Sequence, residues 1–326
     1  MKSAALLLYV LRRLLQAVPV VFVIIVLNFV LIRAAPGDPL DVLTGQMETT
    51  EAFLAQLRAE YGLDQPLTTQ LWLYLTKVVQ GDLGYSLRFR QDVTTLILSR
   101  LPATLLLMGT ALVVSSIFGI LLGVIAARRP YSMTDNTVTL IALAGYSMPV
   151  FWLGQILLLI FALQLAWFPV QGMYSLRAPQ EGWGRVLDLM RHLALPALTY
   201  SVYHLTLIYR LTRVKMQETL ALDYITTARA KGLPEGRVAW GHALPNAMMP
   251  IVTVIGLNFG FMLAGSVLTE TVFAWPGLGR LLYEAIMARD YQVLLGLFTV
   301  LSIMVILANV ITDVIYALID PRVLYK

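Results

Sequence analysis

Six stretches of the chain are uncharged over roughly the 20 residues that a helix needs to cross a bilayer. They are Leu14–Ile32, a segment within Leu101–Ala127, one within Asn136–Leu176, His192–Tyr209, one within Val238–Thr269, and Tyr291–Thr312. Inside lipid a backbone must satisfy its own hydrogen bonds. Each stretch is therefore predicted as a helix, and the pattern is not that of a barrel. The third is long enough for a span plus a re-entrant or interfacial piece. Ser147-Met-Pro149 and Trp152 mark where it would break, either to line a cavity or as a packing kink. The fourth is the weakest, with Pro196 and His204 inside it.

These runs divide the chain into a short N-terminal tail (1–13), a first span (14–33), a polar segment (34–100), a five-helix core (101–317) and a tail (318–326). In the polar segment, Thr50 and Glu51 precede Phe53, Leu54 and Leu57 on one face, and Gly62 stops the run, which predicts one helix. Leu67–Val79 predicts a second, and Gly81-Asp-Leu-Gly84 a turn. Such a segment could touch a delivery protein, gate an exit or form a packed lid.

Composition agrees with the runs. The chain is 58% hydrophobic and 13% charged, against about 25% charged in soluble domains. The net charge of +5 comes from basic residues at the ends of apolar runs, which orient a membrane protein and do not form a nucleic-acid face. With the N-terminus placed inside, the inside segments hold 13 basic and six acidic residues, and the outside segments 11 and 13. The fold class is an all-α polytopic membrane protein with six transmembrane helices, N-in and C-in. The basic, then apolar N-terminus resembles a signal peptide, but its long run reads as an uncleaved first span.

Candidate chemistry is sparse. There is no cysteine, and His192, His204 and His242 form no metal-binding pattern. No catalytic residue, metal site or cofactor is expected. Polar residues within or beside spans are Asn28, Gln155, His204, Asn258, Glu270, Asn309 and Asp313. Glu270 and Asp313 are expected to be solvated or paired near span ends. Asn258 lies among Gly256, Gly260 and Gly265, which favours an interhelical hydrogen bond. Asn258, Ser147 and Trp152 are the candidates for a substrate path.

The informative segment is the inside loop, roughly Leu211–Pro245. Leu220, Ile225 and Ala228 give a loose helical stripe, with acids early and bases late. Gly232 suits the residue after a helix end, and Pro234 can start a second short helix. Thr226, Thr227, Ala228 and Ala230 are small enough to let a partner approach. The loop is either a docking knob for a cytoplasmic motor or an interfacial helix on lipid headgroups.

This loop resembles the EAA loop, Glu-Ala-Ala-x3-Gly-x9-Ile-x-Leu-Pro, of binding-protein-dependent ABC permeases. Gly232 is followed at that spacing by His242, Ala243, Leu244 and Pro245, and Ala228 falls on the motif's third position. Thr226, Thr227 and His242 depart from it, as is usual in the dipeptide/oligopeptide/nickel branch. Ala-Pro-Gly-Asp-Pro (35–39), Tyr-Gly-Leu-Asp-Gln-Pro (61–66), Gly-Asp-Leu-Gly-Tyr-Ser (81–86), Arg-Leu-Pro-Ala-Thr (100–104), Ser-Met-Pro-Val-Phe-Trp-Leu-Gly (147–154) and Phe-Ala-Trp-Pro-Gly-Leu-Gly (273–279) are similar to the same branch, in order.

The resemblance implies a type I importer permease in a bacterial inner membrane. It would pair with a homologous second permease subunit, two cytoplasmic ABC ATPase subunits and an extracytoplasmic substrate-binding protein. The ATPase-coupling loop (215–247) would use Asp223, Tyr224, Thr227, Ala228, Arg229, Lys231, Gly232, His242, Leu244 and Pro245. The cargo would be a di- or oligopeptide or a related solute: a glutathione-like compound, an opine or a nickel chelate. No Gly-x4-Gly-Lys-Ser/Thr occurs, so the chain has no phosphate loop of its own. A secondary transporter or channel would show inverted halves or a mid-membrane carboxylate, an intramembrane enzyme would need a catalytic set, and a signalling scaffold would dock a regulator on the same loop.

Overall fold

The computed structural model describes residues 2–34, 64–86, 88–175 and 181–319. The helix expected after Thr50 lies outside them. The elements run in order as α1 (Lys2–Ala34), α2 (Leu67–Val79), a two-stranded hairpin of β1 (Tyr85–Ser86) and β2 (Gln91–Asp92), and α3 (Val93–Arg128). Then come α4 (Met133–Ser147), and α5 (Val150–Leu157), which continues as a π-helical stretch over Leu158–Gln164. After α6 (Trp183–Leu220) come α7 (Asp223–Ala230), α8 (Glu235–Arg237), a π-helical turn over Val238–Ala243, and α9 (Leu244–Gly265). The chain closes with α10 (Val267–Val272), α11 (Leu278–Met287) and α12 (Tyr291–Ile319).

Four described segments are long and apolar enough to cross a membrane: Leu8–Leu31, Val93–Arg128, Glu235–Gly260 and Tyr291–Val314. The pair α4 and α5, bent by 105°, makes a fifth if it is one broken span. The bend falls at Met148 and Pro149, where the sequence predicts a break. α6 is the exception. Its 38 residues reach about 57 Å at 1.5 Å per residue, so it has the length but not the apolarity. Its polar side chains explain this. Thr199, Ser201, Thr206 and Thr212 are buried among neighbouring helices. Thr199 Oγ1 donates to Leu195 O at 2.8 Å, Ser201 Oγ to Leu198 O at 2.9 Å, and Thr206 Oγ1 to Ala142 O at 2.9 Å. A helix wrapped in protein can carry hydroxyls that a lipid-facing helix cannot.

α3 and α6 form the centre. Two glycines on α3 let them approach: a Cβ on Gly119 would lie 2.9 Å from Ile208 Cβ, and one on Gly123 2.6 Å from Thr212 Cβ. The same device brings Gly256 of α9 against Thr312 of α12. Around the first turns of α3, Val93, Leu96 and Ile97 pack with Leu278, Leu281 and Leu297. Midway, Leu107, Met108, Tyr200, Met262 and Trp275 cluster. At the far end of α3, Val124 and Ala127 meet Met216, Ile225, Val238 and Ile251.

These contacts fix which helix ends lie together. α1 and α12 run antiparallel: Arg13 Nε sits 3.2 Å from Asp313 Oδ2, and Ile25 and Phe29 pack with Leu295. The start of α1, the ends of α3, α6 and α12, and the start of α9 therefore share one end of the bundle, together with α7. Asp313 is paired, one of the two roles the sequence allowed it.

Candidate functional site

The loop begins where α6 ends. Residues 211–220, read from sequence as loop, extend α6 to Leu220, so the projecting part, a prong over residues 222–232, is shorter than the predicted loop. Leu222 adopts extended backbone before α7 (φ −79°, ψ 149°), and the acid Asp223 and the base Arg229 sit at the ends that suit the helix dipole. Lys231 caps α7, and Gly232 turns the chain at φ +78°. Pro234 then opens α8 with extended backbone.

Two faces result. Ile225 is fully buried and Ala228 nearly so, and both insert among Val124, Met216, Val238 and Ile251. The prong is thereby anchored to the ends of α3, α6 and α9 at once. Burying one such isoleucine stabilises the seat by about 1.5–3 kcal/mol. Asp223, Tyr224, Thr226, Thr227, Arg229, Ala230, Lys231 and Gly232 form the outward face. Ala228 corrects a sequence expectation. It is small because it packs inward, so Thr226, Thr227 and Ala230 remain as the small residues that a partner can approach.

Two polar clamps hold the shape. Arg229 donates through Nε to Glu235 Oε1 at 2.8 Å and through Nη2 to Oε2 at 3.3 Å, while Nη1 reaches Leu220 O at 3.4 Å. One side chain thus ties together the end of α6, α7 and α8. Across the prong, Tyr224 Oη donates to His242 O at 3.3 Å, and Asn246 Nδ2 donates to the same carbonyl at 2.8 Å and to Tyr224 Oη at 3.0 Å. This brings His242 beside Tyr224. Leu244 and Pro245 follow as the first residues of α9.

The three path candidates are not brought together. Ser147 and Trp152 are exposed at the break between α4 and α5, and Ser147 Oγ donates to Leu143 O at 2.8 Å. Asn258 is buried on α9 within hydrogen-bonding reach of His204 of α6, while among the described residues its Nδ2 and His204 Nδ1 have no hydrogen-bond partner.

A second polar centre lies at the other end of the bundle. Glu270 is completely buried, which excludes the solvated role allowed to it, and it is fully engaged. Its Oε1 accepts from Thr104 Oγ1 at 2.8 Å and its Oε2 from Arg280 N at 2.9 Å. Thr104 Oγ1 in turn accepts from Leu278 N at 2.7 Å, and Trp275 Nε1 donates to Ala103 O at 2.8 Å. Gly277 lies against the Glu270 carboxylate so closely that a Cβ would overlap it. The signal was the spacing of Trp275, Gly277 and Gly279, which marks close packing of the connection between α10 and α11.

Near Gly182 a strap joins the loop before α6 to its first turns. Ser175 donates to Asp188 through its backbone N at 2.7 Å and its hydroxyl at 2.6 Å. Asp188 precedes the apolar run of α6, and these two donors hold its carboxyl below the usual carboxylate range. A depressed folded-state pKa contributes stability above the unfolded value, and this is lost as pH falls through the folded value. Hydrogen exchange at residues 170–175 is therefore expected to be unchanged from pH 7 to pH 5 after correction for intrinsic rates. It should rise only below about pH 4, the ordinary aspartate value. In Asp188→Asn the rise should already be present at pH 7.

Comparison with known proteins then decides the kinship. Residues 119–325 match the family described as "Binding-protein-dependent transport system inner membrane component", and residues 6–108 match the model of its N-terminal part. The chain belongs to this family. The permease is 42% identical over 332 residues to the di/tripeptide transport system permease protein DppB of Pseudomonas aeruginosa, covering 98% of this chain and 99% of that one. It is 38% identical over 318 residues to the oligopeptide transport system permease protein AppB of Bacillus subtilis (97% and 99% covered). It is 40% identical over 318 residues to the glutathione transport system permease protein GsiC of Escherichia coli (98% and 99% covered). In fold, the permease is similar to a chain of the MetNI methionine ABC transporter in an inward-facing form. The TM-score is 0.55 at 18% identity, covering 69% of this chain and 96% of that one. The permease is a multi-pass inner-membrane component of a transport system and not an enzyme.

Proposed function

We propose that this permease is the membrane subunit of an ATP-driven importer that carries peptides inward, coupled to separate ATPase subunits through residues 222–232. The observation that carries this reading is the double character of the prong. Ile225 and Ala228 are locked into the ends of α3, α6 and α9, while Tyr224, Thr227, Arg229 and Lys231 stand outside. A force applied to the exposed face reaches three long helices without passing through a flexible hinge. The chain has no phosphate loop, so that force comes from a partner.

The reading takes α1, α3, the α4–α5 pair, α6, α9 and α12 as six crossings with both termini in the cytoplasm. It is supported by the shared end described above, since the prong, the start of α1 and the end of α12 all lie at that end of the bundle. The excess of basic residues in the segments assigned to that side agrees. Closure of the ATPase dimer on ATP would move the prong, tilt α6 and α9 and open the path outward, and hydrolysis would reset it. A homologous second permease, two ATPases and a substrate-binding protein complete the assembly. The relatives' names range over di/tripeptides, oligopeptides and glutathione, all solutes with peptide bonds, and selection falls to the binding protein.

Reconstitution tests this directly. Proteoliposomes holding the whole assembly, with ATP inside a vesicle of known orientation, are expected to accumulate labelled di- and tripeptides. The same vesicles without the ATPase subunits should accumulate none. Uphill uptake by the permease without them would establish a secondary transporter instead.

A further inference from the structure

α2 is apolar on more than the face that packs against the bundle. Its inner face carries Tyr74, buried, with Leu71, Leu75 and Val78 packed in the same cluster as Ile25, Phe29 and Leu295. The opposite and flanking positions are also apolar. Trp72 is 67% exposed, Leu73 47% and Val79 87%. Trp72 and Val79 are seven residues apart, so they share a face two helical turns in length.

The depth of the helix follows from its partners. Tyr74 stacks on Phe29, with ring centroids 5.7 Å apart, and Phe29 lies inside the apolar run of α1. The Tyr74 hydroxyl is 2.9 Å from Thr299 Oγ1 and donates to Leu295 O at 3.3 Å. Thr299 is eight residues past the start of α12, about 12 Å along the axis at 1.5 Å per residue. A helix whose side chain reaches that far into a span lies against its flank, not on top of it. The neighbouring surface of α1, with Leu27, Val30 and Leu31 each more than half exposed, is the lipid-facing side of a membrane helix. The exposed face of α2, next to a helix of this character, is apolar in the same way.

We infer that α2 is an interfacial helix whose Trp72, Leu73 and Val79 are embedded in the extracytoplasmic leaflet, with phospholipid as the occupant of that face. The indole suits this level, since its ring is apolar and its N–H can reach the ester and headgroup region. Lys77, near the C-terminal end of α2 and exposed, can extend its amine to phosphates. α2 then props the outer ends of α1 and α12 from the lipid side.

The chain has no cysteine, so one thiol introduced into it is labelled uniquely when the purified permease is labelled before the transporter is assembled. The test uses Trp72→Cys and, separately, Leu73→Cys, each carrying an environment-sensitive fluorophore, in the assembled transporter in phosphatidylglycerol-containing nanodiscs. Gln65→Cys, ahead of the helix and exposed, is the aqueous reference. Quenching by spin-labelled lipid at positions 72 and 73 is expected to exceed that at 65 several-fold, with the order reversed for aqueous iodide. Iodide access at 72 and 73 equal to that at 65 would overturn the inference. So would protection of both positions from lipid and iodide alike, the result expected if another subunit, the binding protein or residues 35–63 cover this face.

Discussion

Gly232→Val is expected to lower ATP-driven peptide uptake about 5- to 30-fold while the assembled complex still hydrolyses ATP. The cause is backbone conformation alone. Gly232 sits at φ +78°, where a side chain is strained, yet a Cβ there would meet nothing within 4 Å. An L-residue in this region costs about 1–2 kcal/mol, and a β-branched one is at the upper end, which corresponds to that range of factors. The strain is relieved by unwinding the end of α7 or by rotating α8. Either movement breaks the Arg229–Glu235 clamp and shifts the exposed face relative to the Ile225 anchor. Gly232→Asn should retain most of the uptake, because asparagine tolerates the left-handed region. ATPase rates and uptake measured together on both variants check this. Normal uptake with normal peptide-stimulated hydrolysis in the valine variant would remove the prong from the coupling path. Arg229→Lys should do less than Gly232→Val, since both partners of its ion pair are largely exposed and such pairs contribute about 0–1 kcal/mol.

Glu270→Ala is expected to be the most destabilising single change at the end of the bundle away from the prong. It leaves the buried Thr104 hydroxyl and the partly buried Arg280 N–H without their acceptor, and a buried orphaned group costs about 1–3 kcal/mol. The carboxylate also holds the connection between α10 and α11 against α3, and Ala274 there adopts φ 49° with its carbonyl accepting from Arg280 Nη1 at 2.8 Å. Glu270→Gln should fall between wild type and alanine. Its amide keeps one acceptor but directs a second donor at either Thr104 or Arg280. Thr104→Ser, which keeps the hydroxyl, should stay near wild type. Thermal unfolding in nanodiscs and abundance in the membrane give the order. If Glu270→Ala unfolded at the wild-type temperature but no longer transported, the residue would belong to the transport path and not to the scaffold.

Much of this was legible in the sequence because lipid enforces simple rules. Uncharged runs such as Leu101–Ala127 and Tyr291–Thr312 became α3 and α12, since a backbone in hydrocarbon has no partner but itself. Leu67–Val79 was read with the bounds of α2, and Gly81 and Gly84 turn the chain at φ +80° and +91°. Gly232 and Pro234 marked the turn of the prong for the reasons of backbone geometry that the structure displays. Where reading fell short, tertiary packing outweighed local pattern. α6 extends to Leu220 because Met216 and Thr219 are buried against neighbouring elements, which its polar composition could not announce. Ala228 reads equally well as a docking surface or a packing contact, and only its burial decides. Glu270 was expected to find water or a pair near a span end. The donors that satisfy it come from Thr104 and Arg280, at sequence separations of 166 and 10 residues, and no periodicity encodes so long a contact.

The most direct test of the claim that work enters through the prong is site-specific crosslinking from its exposed face. A cysteine at Thr227, the only one in the chain, carries a short photoactivatable crosslinker in membranes that contain the whole assembly. It is expected to capture an ATPase subunit, with a yield that changes when ATP is bound and hydrolysis is blocked. Capture of no ATPase, together with modification of the same cysteine by a membrane-impermeant maleimide added from the extracytoplasmic side, would contradict it.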